Sequence, residues 1–135
     1  MNRLSILVVD DQKDIRTLLR QWLESFSHRV DCAASGNEAW KLLKNRCFDI
    51  VITDVLMPDG GGVELIKQLR KARTQTRILA ISGGGPQLTS PTCLEFAHGV
   101  GAHALLLKPF RQHQLRDAID KVLDAALHPS PTTGG

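Results

Sequence analysis

The sequence predicts an α/β fold built on a parallel sheet, and three observations predict it. Five short apolar, β-prone runs punctuate the chain, each followed by a segment whose apolar residues recur at helical spacing. The 135 residues are enough for one well-buried core and too few for two ordinary domains. Strand then helix, five times over, implies parallel neighbours, because parallel strands are joined through helical, right-handed crossovers.

Leu4 to Val9 forms the first run, a strand buried on both faces and closed by the acidic pair Asp10-Asp11. Ile15, Leu18, Leu19, Trp22, Leu23 and Phe26 then make one apolar helical stripe, with Asp11 or Asp14 placed to cap its start. Arg29 to Ala34 is a second strand. Ser35-Gly-Asn-Glu38 has the capping-box pattern and opens a helix through Ala39, Trp40, Leu42 and Leu43. Ile50 to Thr53 is the central strand, running directly into Asp54 and stopped by Pro58. The run Asp59 to Gly62 reads as a loop before helical periodicity resumes at Val63, Leu65, Ile66 and Leu69. Arg77 to Ser82 is a fourth strand, broken by Gly83-Gly84-Gly85-Pro86. Ser90-Pro91 then reads as an N-cap with proline at the first helical position, the helix continuing to His98. Ala102 to Leu107 is the fifth strand, running into Lys108-Pro109. Leu115, Ile119, Val122, Leu123 and Ala126 give the last amphipathic helix. A domain over residues 1–127 and a flexible tail over 128–135 are expected, since the Pro, Ser, Thr and Gly tail has nothing to bury.

Composition narrows the function classes. The net charge of +3 is spread along helical faces without a dense basic run, so direct nucleic-acid binding is not expected. No apolar run reaches the roughly 18 residues of a membrane span, and the opening apolar run is too short for a secretory signal. A cytoplasmic protein with no membrane association is expected. Cys32, Cys47 and Cys93 are odd in number, lack metal-like spacing and lie in apolar or helical contexts, which suits reduced thiols. His28, His98, His103, His113 and His128 are scattered and suggest no zinc site. Trp22 and Trp40 lie on apolar helix faces and read as core.

The chemistry lies at the strand ends. Asp10, Asp11, Asp54, Ser82 and Lys108 each fall at or just beyond the C-terminal end of a strand, and a parallel sheet gathers those ends along one rim, where open α/β folds bind ligands. Taken singly, each has an ordinary explanation: a helix cap, a turn former, a surface lysine. Their joint placement outweighs these. Three carboxylates together repel one another unless a cation sits among them, and oxygen-only ligation favours a hard ion such as Mg²⁺. Lys108 adds a second positive charge and Ser82 a hydrogen-bond donor, so a phosphoryl group in the crevice would be met by cations on two sides. A carboxylate can be the nucleophile in phosphoryl transfer, which assigns Asp54 as acceptor. Leu56, two residues on, offers no acid or base for fast turnover, so a group held for some time is expected in place of efficient hydrolysis.

These residues resemble the receiver domains of two-component response regulators, of the stand-alone, chemotaxis-regulator kind. The resemblance runs from Leu4 to about Leu127 and rests on the acidic pair Asp10-Asp11, on Asp54 before Met57-Pro58, on Ser82 after the fourth strand and on Lys108-Pro109-Phe110 after the fifth. It implies a flavodoxin-like five-stranded sheet of order 2-1-3-4-5 with five helices. It implies that Asp11 and Asp54 contact Mg²⁺ directly, that Asp10 acts through water, and that the Leu56 backbone carbonyl completes the protein ligands. The phosphoryl donor would be a phosphohistidine on a sensor histidine kinase or histidine phosphotransfer protein. With no output domain in this chain, signalling would pass to a downstream protein target. The Lys108-Pro109 bond is commonly cis in such domains.

Two departures bear on switching. Many receivers carry Tyr or Phe on the fifth strand, where this chain has Leu105, and the run Gly83-Gly84-Gly85 differs from the single small residue that often follows the hydroxyl. Switching is therefore expected to run through backbone rearrangement from Ser82 to Pro91, with Gly83, Gly84, Leu105 and Pro109 in the switch region. Competing readings are an aspartate-dependent phosphatase or phosphotransferase of the haloacid-dehalogenase kind, disfavoured by Leu56, and a degenerate receiver serving as a protein-interaction module. A flavin-binding module is disfavoured by the acids crowding the crevice.

Overall fold

The computed structural model describes residues 3–55, 57, 61–72, 74–83, 99 and 101–124. Along the chain these form β1 (Ser5–Val9), α1 (Lys13–Ser25), β2 (Arg29–Ala33), α2 (Gly36–Asn45), β3 (Ile50–Asp54), α3 (Gly61–Ala72), β4 (Arg77–Ser82), β5 (Ala104–Leu107) and α4 (Gln112–Asp124). The strands make one sheet of order β2-β1-β3-β4-β5, every pair parallel. The expected fold class and strand order hold. Four helices stand among the described residues. The helix expected over Ser90 to His98, the Leu56 carbonyl, Gly84 and the tail lie outside them.

Alternation along the buried strands sorts the core into two layers. Leu7, Val9, Val51, Val55, Ile78 and Ala80 pack on one side with Leu65, Ile66 and Leu69 of α3 and Ala39 of α2. Ile6, Val8, Ile50, Ile52, Leu79 and Ile81 pack on the other with Leu19 and Leu23 of α1 and Leu115, Ile119 and Val122 of α4. Each fully buried aliphatic side chain contributes about 1.5–3 kcal/mol, which is why near-continuous apolar runs serve as strands covered on both faces. The same alternation puts Asp54 in phase with Ile50 and Ile52, on the α1 and α4 side.

Element ends depart from expectation in instructive ways. Neither Asp11 nor Asp14 caps α1; Gln12 is the N-cap residue and makes no side-chain cap bond. Asp14 instead lies in the first turn, where a negative charge suits the helix dipole. Ser35 does cap α2, accepting from the Glu38 N–H at 3.2 Å, but the returning Glu38 carboxylate takes the Ala34 N–H at 3.4 Å, one residue before the usual partner. Gly61 and Gly62, expected in a loop, belong to the first turn of α3. At the C-terminal end of α1 the backbone turns through Ser27 at φ 73°, a left-handed closure made without glycine. Cys47 is exposed, not part of the apolar packing, and Cys32 is half-buried.

Two of the scattered histidines finish strands. His103 replaces the first residue of the expected fifth strand as a ladder partner: its N–H donates to Ile78 O at 2.8 Å and its Nδ1 accepts the Ile78 N–H at 3.0 Å. His28, buried before β2, accepts the Leu4 N–H on Nδ1 at 3.1 Å. Burial lowers the His28 pKa below its ordinary 6.5, with Asp49 pulling it part of the way back. The folded chain thus holds this proton less tightly than the unfolded chain, so the stability from neutral His28 is complete above about pH 6.5 and declines as the pH falls below it. Urea unfolding midpoints should therefore drop on going from neutral to mildly acidic buffer. His28→Asn, which keeps an acceptor for Leu4, should flatten that slope; an equally steep slope in the variant would remove His28 as its source.

Candidate functional site

Four side chains meet at the C-terminal rim of the sheet. Asp54 ends β3, Asp10 and Asp11 follow β1, and Lys108 follows β5. Lys108 Nζ donates to Asp54 Oδ2 at 3.1 Å and to Asp10 Oδ2 at 3.3 Å. One carboxylate oxygen from each of Asp10, Asp11 and Asp54 lies within 4.8 Å of the others. The sheet ladder sets this spacing: Val55 N–H donates to Ile81 O, and Lys108 N–H to Ser82 O at 2.8 Å, so adjoining strands are tied together where the site begins. Ser82 is buried at the end of β4, and the Lys108-Pro109 peptide bond is cis.

The charges are unequal in setting. Asp10 is 1 % exposed and its oxygens are engaged, Oδ1 by the Gln12 N–H at 2.8 Å and Oδ2 by Lys108. Burial nonetheless raises its pKa above the usual carboxylate value, opposed by the Gln12 bond and Lys108 and reinforced by Asp54. Burial alone would lower the Lys108 pKa, but Asp54 and Asp10 overcome that and hold the ammonium above its ordinary value. Asp11 is exposed. One lysine thus faces two acids, Asp10 and Asp54, in a partly dry crevice, with Asp11 clustered beside them, and the donor set is oxygen only. That is the chemistry of a hard divalent cation, and the residues present fit Mg²⁺.

The profile of the response regulator receiver domain matches residues 6–120. The chain belongs to the response regulator receiver family. The DNA-binding transcriptional regulator NtrC of Azospirillum brasilense is 32 % identical over 130 residues, covering 96 % of this receiver and 26 % of that protein. The alkaline phosphatase synthesis transcriptional regulatory protein PhoP of Bacillus subtilis is 32 % identical over 123 residues, covering 91 % of this chain and 49 % of its own length. This receiver therefore spans a quarter to a half of those relatives. The structure of the chemotaxis response regulator CheY4 of Vibrio cholerae superimposes with a TM-score of 0.79 at 32 % identity, over 90 % of this chain and 99 % of that one. The acidic pocket of Asp10, Asp11 and Asp54 with Lys108 is consistent with a phosphoaspartate acceptor. Acidic triads of this kind are typical Mg²⁺ sites in receivers, and receivers partner with histidine kinases in two-component systems.

Of the other residues expected at the site, Gly83 is exposed directly after β4 and Pro109 is exposed after Lys108. Leu105 is half-buried and packs on the α2 and α3 layer. Two contributors, Arg16 and Thr53, carried no sequence signal as site residues, and a third, Phe110, is marked in the sequence by its place after Lys108-Pro109. Arg16 donates to the Asp10 backbone carbonyl at 2.7 Å, anchoring the acidic turn to α1. Thr53, fully buried, donates its hydroxyl to the Asp54 carbonyl at 3.2 Å. Phe110 stacks edge-on against Trp22 at 6.0 Å between centroids, holding the turn after Lys108 to α1. Among the described residues no helix is long and apolar enough to cross a membrane.

Proposed function

We propose that this receiver accepts a phosphoryl group on Asp54 from the phosphohistidine of a sensor histidine kinase or a histidine phosphotransfer protein, and that acceptance changes its binding to a downstream protein. An Asp54 carboxylate oxygen forms the new bond to phosphorus while the donor's N–P bond breaks, and the departing imidazole takes up a proton from water. Asp11, Asp54 and the Leu56 carbonyl would hold Mg²⁺, with Asp10 acting through water. The engagement of both Asp10 oxygens and the exposure of Asp11 favour that division. Bound there, the ion would offset negative charge on the equatorial phosphoryl oxygens. Lys108 orients Asp54 and can follow the incoming oxygens; Ser82 can donate to the same group. With Leu105 in place of an aromatic side chain, the readout runs through the backbone after Ser82, including Gly83 and Gly84, and through Pro109. The domain acts in the cytoplasm as an acceptor with slow self-hydrolysis, not as a turnover enzyme, and residues 128–135 form a tail outside it.

The observation that carries this reading is the ammonium of Lys108 bonded to acids from two separate strands at one rim. Intact-mass measurement after incubation with acetyl phosphate and Mg²⁺ tests it. The wild type should gain one phosphoryl group, and EDTA should prevent the gain. A phosphoryl group mapped to a residue other than Asp54, or steady release of phosphate from a simple monoester, would reject the proposal.

A further inference from the structure

Gly62 is buried in the first turn of α3, and its Cα lies directly against the backbone of the residue that carries the chemistry. A Cβ built there would meet the Asp54 carbonyl oxygen well inside van der Waals contact, and would come within 2.9 Å of both the Asp54 carbonyl carbon and Val55 Cα. No side-chain rotation relieves this, because every atom met is backbone. The same carbonyl accepts the Thr53 hydroxyl, so Asp54 is held at its peptide by a helix turn on one hand and a buried hydroxyl on the other. Beyond it, the Val55 N–H is tied to Ile81 O at 2.9 Å, leaving the Asp54-Val55 peptide little room to shift without moving α3 or β4.

We propose that Gly62 and Thr53 are positioning residues for the phosphoacceptor: the absent side chain at 62 lets α3 close on the Asp54 carbonyl, and this closure sets the carboxylate's distance to Asp10, Asp11 and Lys108. The inference rests on Asp54 being the acceptor. A methyl group at 62 has to push either α3 outward or the Asp54 peptide across the sheet rim. The second movement carries the carboxylate away from Lys108, to which it stands at 3.1 Å. Positioning errors of about 1 Å cost on the order of 100-fold in rate when alignment dominates catalysis.

The test compares Gly62→Ala, Thr53→Val and a control, Gly101→Ala, in uptake of phosphoryl from acetyl phosphate as a function of Mg²⁺ concentration. Gly101 has φ 105° and abuts the Arg70 side chain at the opposite, N-terminal end of β5, so Gly101→Ala strains the fold away from the site. All variants are assayed at a temperature where circular dichroism shows them folded. Gly62→Ala should lower the uptake rate at least about tenfold and raise the half-saturating Mg²⁺ concentration, and Thr53→Val should do so about two- to fivefold. Gly101→Ala should lower the melting temperature yet keep wild-type rate and metal dependence. Should Gly62→Ala fail to fold, Thr53→Val carries the test alone, and wild-type behaviour in it overturns the proposal. Wild-type behaviour in folded Gly62→Ala, or equal losses in Gly101→Ala, also overturns it. No uptake by the wild type would instead bring down the acceptor reading, and this inference with it.

Discussion

Asp54→Asn is expected to remain folded and to lose phosphoryl uptake from acetyl phosphate by at least about 100-fold, equivalent to ~2.7 kcal/mol of transition-state stabilisation. The amide keeps the size and much of the hydrogen bonding of the carboxylate, so the crevice keeps its shape. What it lacks is an anionic oxygen able to bond to phosphorus. The neighbours cannot substitute equally. Asp10 is almost wholly buried and spends its two oxygens on Gln12 and Lys108. Only Asp11, exposed at the mouth, is free of that constraint by burial, and Asp54→Asn/Asp11→Asn therefore serves as the comparison. Intact-mass spectra of both variants decide the matter: wild-type uptake in Asp54→Asn would refute the assignment.

Lys108→Ala is expected to destabilise the metal-free protein by about 2–4 kcal/mol, because it strips the partner from two buried carboxylates at once. The figure sits below that for a fully buried pair, since the lysine side chain is 18 % exposed. The deficit should depend on pH in a definite direction. Burial already raises the Asp10 pKa above 3.8, and without Lys108 the shift grows. A carboxyl whose folded pKa is raised binds its proton more tightly in the folded state, so its contribution is most favourable at low pH and is lost as pH rises through the folded pKa. The gap between wild type and variant should therefore be largest at neutral pH and narrow on acidification. Millimolar Mg²⁺ should narrow it as well, by supplying positive charge to the same acids. Urea midpoints that match wild type in EDTA at neutral pH would show that Lys108 does not balance these charges.

The residues that carry charge at the rim were legible because each is the abrupt end of an apolar strand. Ile50 to Thr53 stops at an acid and Ala104 to Leu107 at a lysine, and a parallel sheet leaves such ends only one edge to share. What was illegible works through single backbone groups far along the chain. His28 serves the Leu4 N–H and His103 the Ile78 N–H, pairings separated by 24 and 25 residues, and no local pattern announces them. The capping of α1 departs from the sequence pattern for a related reason: the Asp11 carboxylate joins the acidic cluster at the crevice, so a charge that could have capped the helix is directed elsewhere. The cluster of glycines around Gly62 predicts a loop, and the fold places this residue in the first turn of α3. In the folded chain its lack of a side chain matters for what approaches it, which periodicity does not report.

The order of strands has one more consequence, for the choice of lysine itself. Between β5, which Lys108 leaves, and β3, which bears Asp54, lies the whole width of β4, and Asp10 is one strand farther still. Neighbouring strands are ~4.8 Å apart, so the cation must bridge about 10 Å of backbone to reach its first partner. A tether of four methylenes meets that span with the aspartate reaching back from the other bank; histidine, shorter and flat, would fall short over Ser82. Reach, as much as charge, dictates which amino acid can stand at the end of the outermost strand.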